Sequence, residues 1–377
     1  MAFNEVENGS ITSPQGFLAC GVATGLKQSG DLDMALIYSK RPARAAGAFT
    51  ANRFAAPPVL YDQELISKGE PVRAVIVNSG NANACTGLRG IADAGHTAEH
   101  VAAKLRVARD EVLVSSTGRI GVHLPMDLVL SGVDAAVPAL SADGGQRAAA
   151  AIMTTDTRPK TVAVKTSVSG CEICIGGMAK GAGMIAPRLS SVAHRRSHAT
   201  MLAYITTDAA ITQEVLDNCL DDSLDRSFNR ITIDGDTSTN DSLIALANGA
   251  AGNEIISAGS ESAVEFAAAF TYVLSKLARE IVLDGEGVTR FVEVAVSGAR
   301  TREEARRCAE AIANSALCKT AWFGADPNWG RILCAAGYSE AVFDPNRVSL
   351  NYGNTPVVRD GVDAGTSEQD LVKAIDK

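Results

Sequence analysis

Hydrolases and acyl transferases commonly pair a Ser or Cys nucleophile with a His base, and the sequence offers neither arrangement. Of the five histidines, His96, His100, His123, His194 and His198, the first two sit one turn apart on a predicted helix. No carboxylate or third His is placed to complete a metal set with them, and a solvated helix face is the simpler reading. GxSxG is absent, which sets aside a nucleophile-elbow serine hydrolase. A threonine at a chain terminus needs no histidine, because its own α-amine can take the hydroxyl proton and titrates at about pH 8. Lys180-Gly-Ala-Gly-Met-Ile-Ala-Pro187, then Ala199-Thr-Met-Leu-Ala-Tyr-Ile-Thr-Thr-Asp208, place Thr200 between a Gly-rich loop and a strand. Taken alone, the segment is more simply the start of that strand.

The elements that must position such a group alternate without a βαβ rhythm. Strands are predicted at Met34–Tyr38, Ala74–Asn78, Glu111–Ser115, Lys160–Ser167, the CEICIGGMAKG stretch, Ala203–Thr206 and Phe291–Ser297. Helices are predicted over Asp93–Leu105, Gly145–Ile152, Thr212–Leu220, Ser260–Ile281 and Arg302–Ser315. Two strands run into small polar loops, Ser79–Asn83 and Ser116–Gly118, where rigid scaffolds carry chemistry. Arg188–His198 (RLSSVAHRRSH) reads as a linker directly before Ala199-Thr200.

At 377 residues and 46% apolar content, the chain can bury a large core. A net charge of −8, from 35 Lys and Arg against 43 Asp and Glu, argues against a nucleic-acid partner. The apolar runs are short and broken, so no membrane span is expected, and Met1–Ser13 lacks a secretory pattern. The expected location is the cytoplasm. The eight cysteines are scattered, so no disulfide framework is expected. Cys171 and Cys174 form a CxxC with no second half, and buried thiols are the reading. Asp234, Asp236 and Asp241 lack calcium-loop spacing and read as a structural turn.

KGxGMIAP followed by ATML and TTD resembles the ornithine acetyltransferases, the bifunctional glutamate N-acetyltransferases of arginine biosynthesis. The resemblance continues in AGAFTANRFAAPPVL (46 to 60), VNSGNANACTG (77 to 87), SSTGRIG (115 to 121), TTDTRPK (154 to 160), FNRITIDGDTSTND (228 to 241), DGEG (284 to 287) and NSALCKTAWFGADPNWGRI (314 to 332). It implies an α+β fold, a layered sandwich of two mixed sheets between helices. It implies self-cleavage between Ala199 and Thr200 into an α chain (1–199) and a β chain (200–377) that stay interlocked. Thr200 would take acetyl from N-acetylornithine and pass it to glutamate, with Thr117 and the Gly118 amide as oxyanion donors. Thr154, Thr155, Lys180, Thr200 and Glu286 would bind substrate. The two charged residues suit an amino acid's α-carboxylate and ornithine's ammonium. No cofactor and no metal are implied. Acetyl-CoA as a second donor stays open, and the expected assembly is a heterotetramer of two α and two β chains.

Two departures from the family pattern stand out. The family's Pro is usually two residues from the Ala-Thr bond, whereas Arg188–His198 intervene here. Family members also continue into a tail whose Asn and terminal hydroxyl bind substrate, and this chain stops at Asp370–Lys377. Two further readings therefore stand beside the acetyltransferase: a non-catalytic homologue or partner subunit, and an N-terminal-nucleophile amidohydrolase or aminopeptidase.

Overall fold

The computed structural model describes residues 3–193 and 201–375. Ala199 and Thr200, with His194 and His198, lie outside the described residues. The chain divides into two compact units, Met1–Glu286 and Gly287–Lys377.

The first unit runs β1 (Phe3–Glu5), β2 (Phe17–Val22), β3 (Met34–Phe49), α1 (Pro57–Ser67), β4 (Val72–Asn81), α2 (Gly87–Leu105), β5 (Val112–Arg119), α3 (Met126–Ala136), α4 (Gly145–Ala151), β6 (Lys160–Val168), β7 (Cys171–Lys180), β8 (Ser190–Ser191), β9 (Leu202–Thr207), α5 (Gln213–Leu224), β10 (Ser242–Ala247) and α6 (Glu261–Leu283). The 16-residue β3 is shared. Its first part lies between β2 and β4, with β5 beyond β4. Its last residues pair with β10 and β8, and the ladder continues through β9, β7, β6 and β1. The β4–β5 and β9–β10 pairs are parallel and the others antiparallel.

Because successive side chains of a strand point to opposite faces, the burial pattern resolves the layers. On β9 and β10, Ala203, Ile205, Leu243 and Ala245 join Leu216, Leu220, Phe266, Phe270 and Leu277 of α5 and α6 in one core. Leu202, Tyr204, Ile244 and Leu246, of the other parity, share a second core with Ile37, Val75, Val77 and Leu113 from β3, β4 and β5. The remaining parity of those strands, Leu36, Ala74, Ile76, Val112 and Val114, meets Ala98, Val101, Val129 and Val133 of α2 and α3 in a third. Two mixed sheets therefore face each other with helices on both outer surfaces, the expected α+β sandwich.

The second unit contains α7 (Arg302–Asn314), α8 (Ala316–Phe323), α9 (Trp329–Gly337), a small antiparallel sheet of β11 (Leu350–Tyr352), β12 (Thr355–Arg359) and β13 (Val362–Asp363), and α10 (Glu368–Ile375). Ile312, Cys318, Ile332 and Ala335 form one of its cores, and Val357, Val358 and Leu371 another.

Several local expectations change. Phe291–Ser297 alternates like a strand, but no strand spans it among the described residues. The loops expected at Ser79–Asn83 and Ser116–Gly118 are largely strand, because β4 and β5 pair in parallel as far as Asn81 and Arg119. Within the expected linker, Ser190–Ser191 pairs with Ala48–Phe49 as β8. Cys174 is buried but Cys171 is only half-buried; three residues apart on a strand, they point to opposite faces.

Phe270 is fully buried and its ring stacks on Phe266 at 5.6 Å between centroids. Phe270→Ala is expected to cost about 3–5 kcal/mol of stability, whereas Val264→Ala, at a residue 71% exposed on the same helix, should stay within about 0.5 kcal/mol. Urea unfolding of both variants checks the contrast.

Candidate active site

The parallel pairing of β4 with β5 sets Ser79 opposite Thr117 and Gly80 opposite Gly118. Gly80 has φ +96° and Gly118 φ +130°, backbone states that only glycine adopts freely. A Cβ on Gly118 would overlap the Gly80 carbonyl carbon. The close approach leaves Gly118 exposed and Thr117 buried beside it. Thr117 has the parity of Leu113, so it belongs to the face of β5 that meets the other sheet. Asn240 ties these strand ends together: its amide donates to the carbonyls of Ala82 at 2.6 Å and Ser116 at 2.8 Å.

Lys180 closes β7 from the opposing sheet, 8% exposed, and its Nζ donates to Thr117 Oγ1 at 3.4 Å. Burial lowers the pKa of this ammonium, and the charges of Asp156 and Asp241 only partly offset the effect. Behind it lies an ion triad. Lys160 Nζ meets Asp156 Oδ1 at 2.7 Å and Asp284 Oδ2 at 2.6 Å, with the Lys160 and Asp156 side chains wholly buried and Asp284 nearly so. Asp156 also accepts from the amides of Gly181 at 2.6 Å and Thr154 at 3.0 Å. Asp284 accepts from the amide and the hydroxyl of Thr157. Burial alone would raise the pKa of Asp156, but the charges of Lys180 and Lys160 outweigh it and hold the carboxyl below its ordinary value. For Asp284 burial is likewise outweighed, here by the hydrogen bonds from Lys160 and Thr157.

The triad draws together the TTDTRPK segment, the Gly-rich loop and the end of α6. Just beyond it the Glu286 amide donates to Ala182 O at 2.8 Å, and the Glu286 carboxylate lies so close to Gly183 that a Cβ there would overlap it. The other side of the loop rests on Asp234, whose carboxylate accepts the amides of Met184 at 2.6 Å and Ile185 at 2.9 Å. The DGDTSTND turn is thus a cradle for the Gly-rich loop. Among the described residues, no group of His, Cys, Asp and Glu is placed to hold a metal ion.

Between these walls opens a cavity of about 1300 Å³, and Thr117, Gly118, Thr154, Thr155, Lys180 and Glu286 all line it. Met201, the first described residue after Thr200, lines it too. A buried ammonium, an exposed carboxylate, a threonine hydroxyl and a glycine amide around one space can hold a zwitterionic or dipolar substrate and an oxyanion. His96 is exposed and His100 meets Asp134 at 2.8 Å on the outer face of α2; neither lines the cavity. Sequence reading missed the triad and the turn from Thr24 to Asp33 on the cavity rim. Asp156, Lys160 and Asp284 stand inside the TTDTRPK and DGEG motifs, but outside a regular helix their spacing carries no pairing signal.

The ArgJ family model matches residues 18–377. The arginine biosynthesis bifunctional protein ArgJ of Geobacter sulfurreducens is 50% identical over 351 residues, covering 93% of this chain and 87% of the relative. The chain belongs to the ArgJ family. The namesake from Symbiobacterium thermophilum is 48% identical over 355 residues, covering 94% of this chain and 86% of that one. A solved ornithine acetyltransferase complexed with ornithine, from Mycobacterium tuberculosis, is 47% identical at a TM-score of 0.47, covering 50% of this chain and all of that one. No helix among the described residues is long and apolar enough to cross a membrane.

Lys160→Met removes the ammonium that two buried carboxylates share and is expected to cost about 3–5 kcal/mol at neutral pH. Lowered carboxyl pKa values stabilise the fold above the unfolded value of about 3.9, and that stabilisation is lost as pH falls through the folded values. The stability gap between wild type and variant should therefore narrow on acidification, which urea titrations at neutral and acid pH will read.

Proposed function

We propose that this chain, an acetyltransferase of arginine biosynthesis, moves acetyl from N-acetylornithine to glutamate through an ester on Thr200. The observation that carries the reading is the convergence of Thr117, Gly118, Lys180 and Glu286 on one cavity that also receives Met201, the residue after the nucleophile.

The chain first cuts itself. Thr200 Oγ attacks the Ala199 carbonyl carbon, the C–N bond breaks as an ester forms, and water hydrolyses that ester. Residues 1–199 gain a terminal carboxylate and residues 200–377 a free α-amine. That amine accepts the Thr200 hydroxyl proton as Oγ attacks the acetyl carbonyl of N-acetylornithine. Collapse of the tetrahedral adduct passes the proton to ornithine's departing nitrogen and leaves acetyl-Thr200. Glutamate's amine then attacks the ester, the new N–C bond replaces the C–Oγ bond, and Oγ regains a proton. Negative charge on each adduct falls to the Thr117 hydroxyl and the Gly118 amide. Lys180 pairs with the substrates' α-carboxylate, Glu286 with ornithine's side-chain ammonium, and Thr154 and Thr155 border the bound amino acid. Acetyl-CoA is a second donor, consistent with the relatives' bifunctional name. The chains assemble as two α and two β in the cytoplasm.

Mass spectrometry of purified protein should find two chains, 1–199 and 200–377, and Thr200→Ala a single uncut chain. An uncut wild type inert with N-acetylornithine plus glutamate would sink the reading. Thr117→Ala should lower kcat about 10²–10³-fold with a smaller change in KM, as steady-state kinetics will measure.

A further inference from the structure

The two amino acids that the proposed cycle passes through one nucleophile share an α-carboxylate but end differently, in an ammonium for ornithine and a carboxylate for glutamate. Glu286 suits the first and repels the second, since like charges within a few ångströms in a partly desolvated site oppose each other strongly. The glutamate carboxylate needs a cation elsewhere on the wall. We propose that Lys27 is that cation and sets the acceptor specificity of the second half-reaction, an inference that rests on the acetyl-transfer reading.

The turn carrying Lys27 is built with care. Asp33 is fully buried, and its carboxylate accepts the amides of Thr24 at 2.7 Å, Gly25 at 3.1 Å and Lys27 at 3.0 Å. The Lys27 stem rests on Gly80, where an added Cβ would come within 3.4 Å of Lys27 Cγ and 3.1 Å of Leu26 O. Gly80 in turn pairs with Gly118. Lys27 is thus fixed to the strand pair that presents the oxyanion wall, and it lines the same cavity.

Its ammonium is half-buried and donates to Leu32 O at 2.7 Å. An ammonium carries three donors, and among the described residues no carboxylate lies within ion-pairing distance of it. Burial lowers its pKa, opposed by the charges of Asp33, Asp31 and Asp156. An anionic ligand would offset that desolvation with a charge-assisted bond. Arg119 also lines the cavity, but it is exposed, and pairing with a solvated cation contributes little.

The test separates the half-reactions in the full, self-processed protein. Acetyl-enzyme formation from N-acetylornithine is followed by the mass of the 200–377 chain, and discharge is followed with glutamate and with norvaline, whose side chain is uncharged. Lys27→Met should raise the KM for glutamate on the order of 10- to 100-fold, while acetyl-enzyme formation and discharge to norvaline keep their rates. Lys27→Arg should restore most of the glutamate step, and Arg119→Met should leave it near wild type. An unchanged glutamate KM in Lys27→Met, an equal loss with norvaline, or a glutamate-selective loss in Arg119→Met would overturn the assignment while acetyl transfer stands. A wild type that forms no acetyl-enzyme would overturn both.

Discussion

Lys160, held between Asp156 and Asp284 without exposure to solvent, is the interaction on which the site depends. Two carboxylates around one ammonium leave a surplus negative charge, and a buried surplus is costly. Lys180 supplies the balance, because its charge acts directly on Asp156. Lys160 and Lys180 thus set two positive charges against the two carboxylates of the triad. The same atoms fix the backbone. Asp156 holds Gly181 and Thr154 by their amides, and Asp284 ends the helix from which Glu286 follows.

Strand parity does the coarser positioning. Thr117 and Lys180 belong to different sheets, yet the inter-sheet core beneath them sets their separation. The Gly80–Gly118 approach then fixes the last few ångströms, since a Cβ on Gly118 would overlap the Gly80 backbone. Coarse distance thus comes from packed apolar faces and fine distance from the absence of a Cβ on Gly118.

Much of this was legible in the sequence, by two different routes. Periodicity located α5, α6 and α7, because long amphipathic patterns survive tertiary context. It failed at Phe291–Ser297, where alternation alone did not make a strand. The residues that line the cavity, Thr117, Gly118, Lys180 and Glu286 among them, stand out in the sequence only through motif resemblance; an isolated Lys180 or Glu286 has the look of a surface charge. What stayed hidden was every long-range polar tie. The link from Lys160 to Asp284 crosses 124 residues and that from Asn240 to Ala82 crosses 158, and neither end announces its partner. Glycines were legible as turn formers, but Gly118 works in a strand, where its role is set by the chain lying opposite.

In the second sheet β9 lies between β7 and β10, and β10 lies against β3. A cut after Ala199 would assign β7 and β3 to one product and β9 and β10 to the other, so two strands of one product would stand as a pair between strands of the other in a continuous ladder. Neither product could leave without breaking two rows of backbone hydrogen bonds and opening the core on both faces. Folding, a unimolecular event before the cut, would become a meeting of two molecules after it. A mature enzyme once fully unfolded would have to reassemble at a rate set by concentration, and its working lifetime would rest on the height of the unfolding barrier rather than on any equilibrium with its precursor.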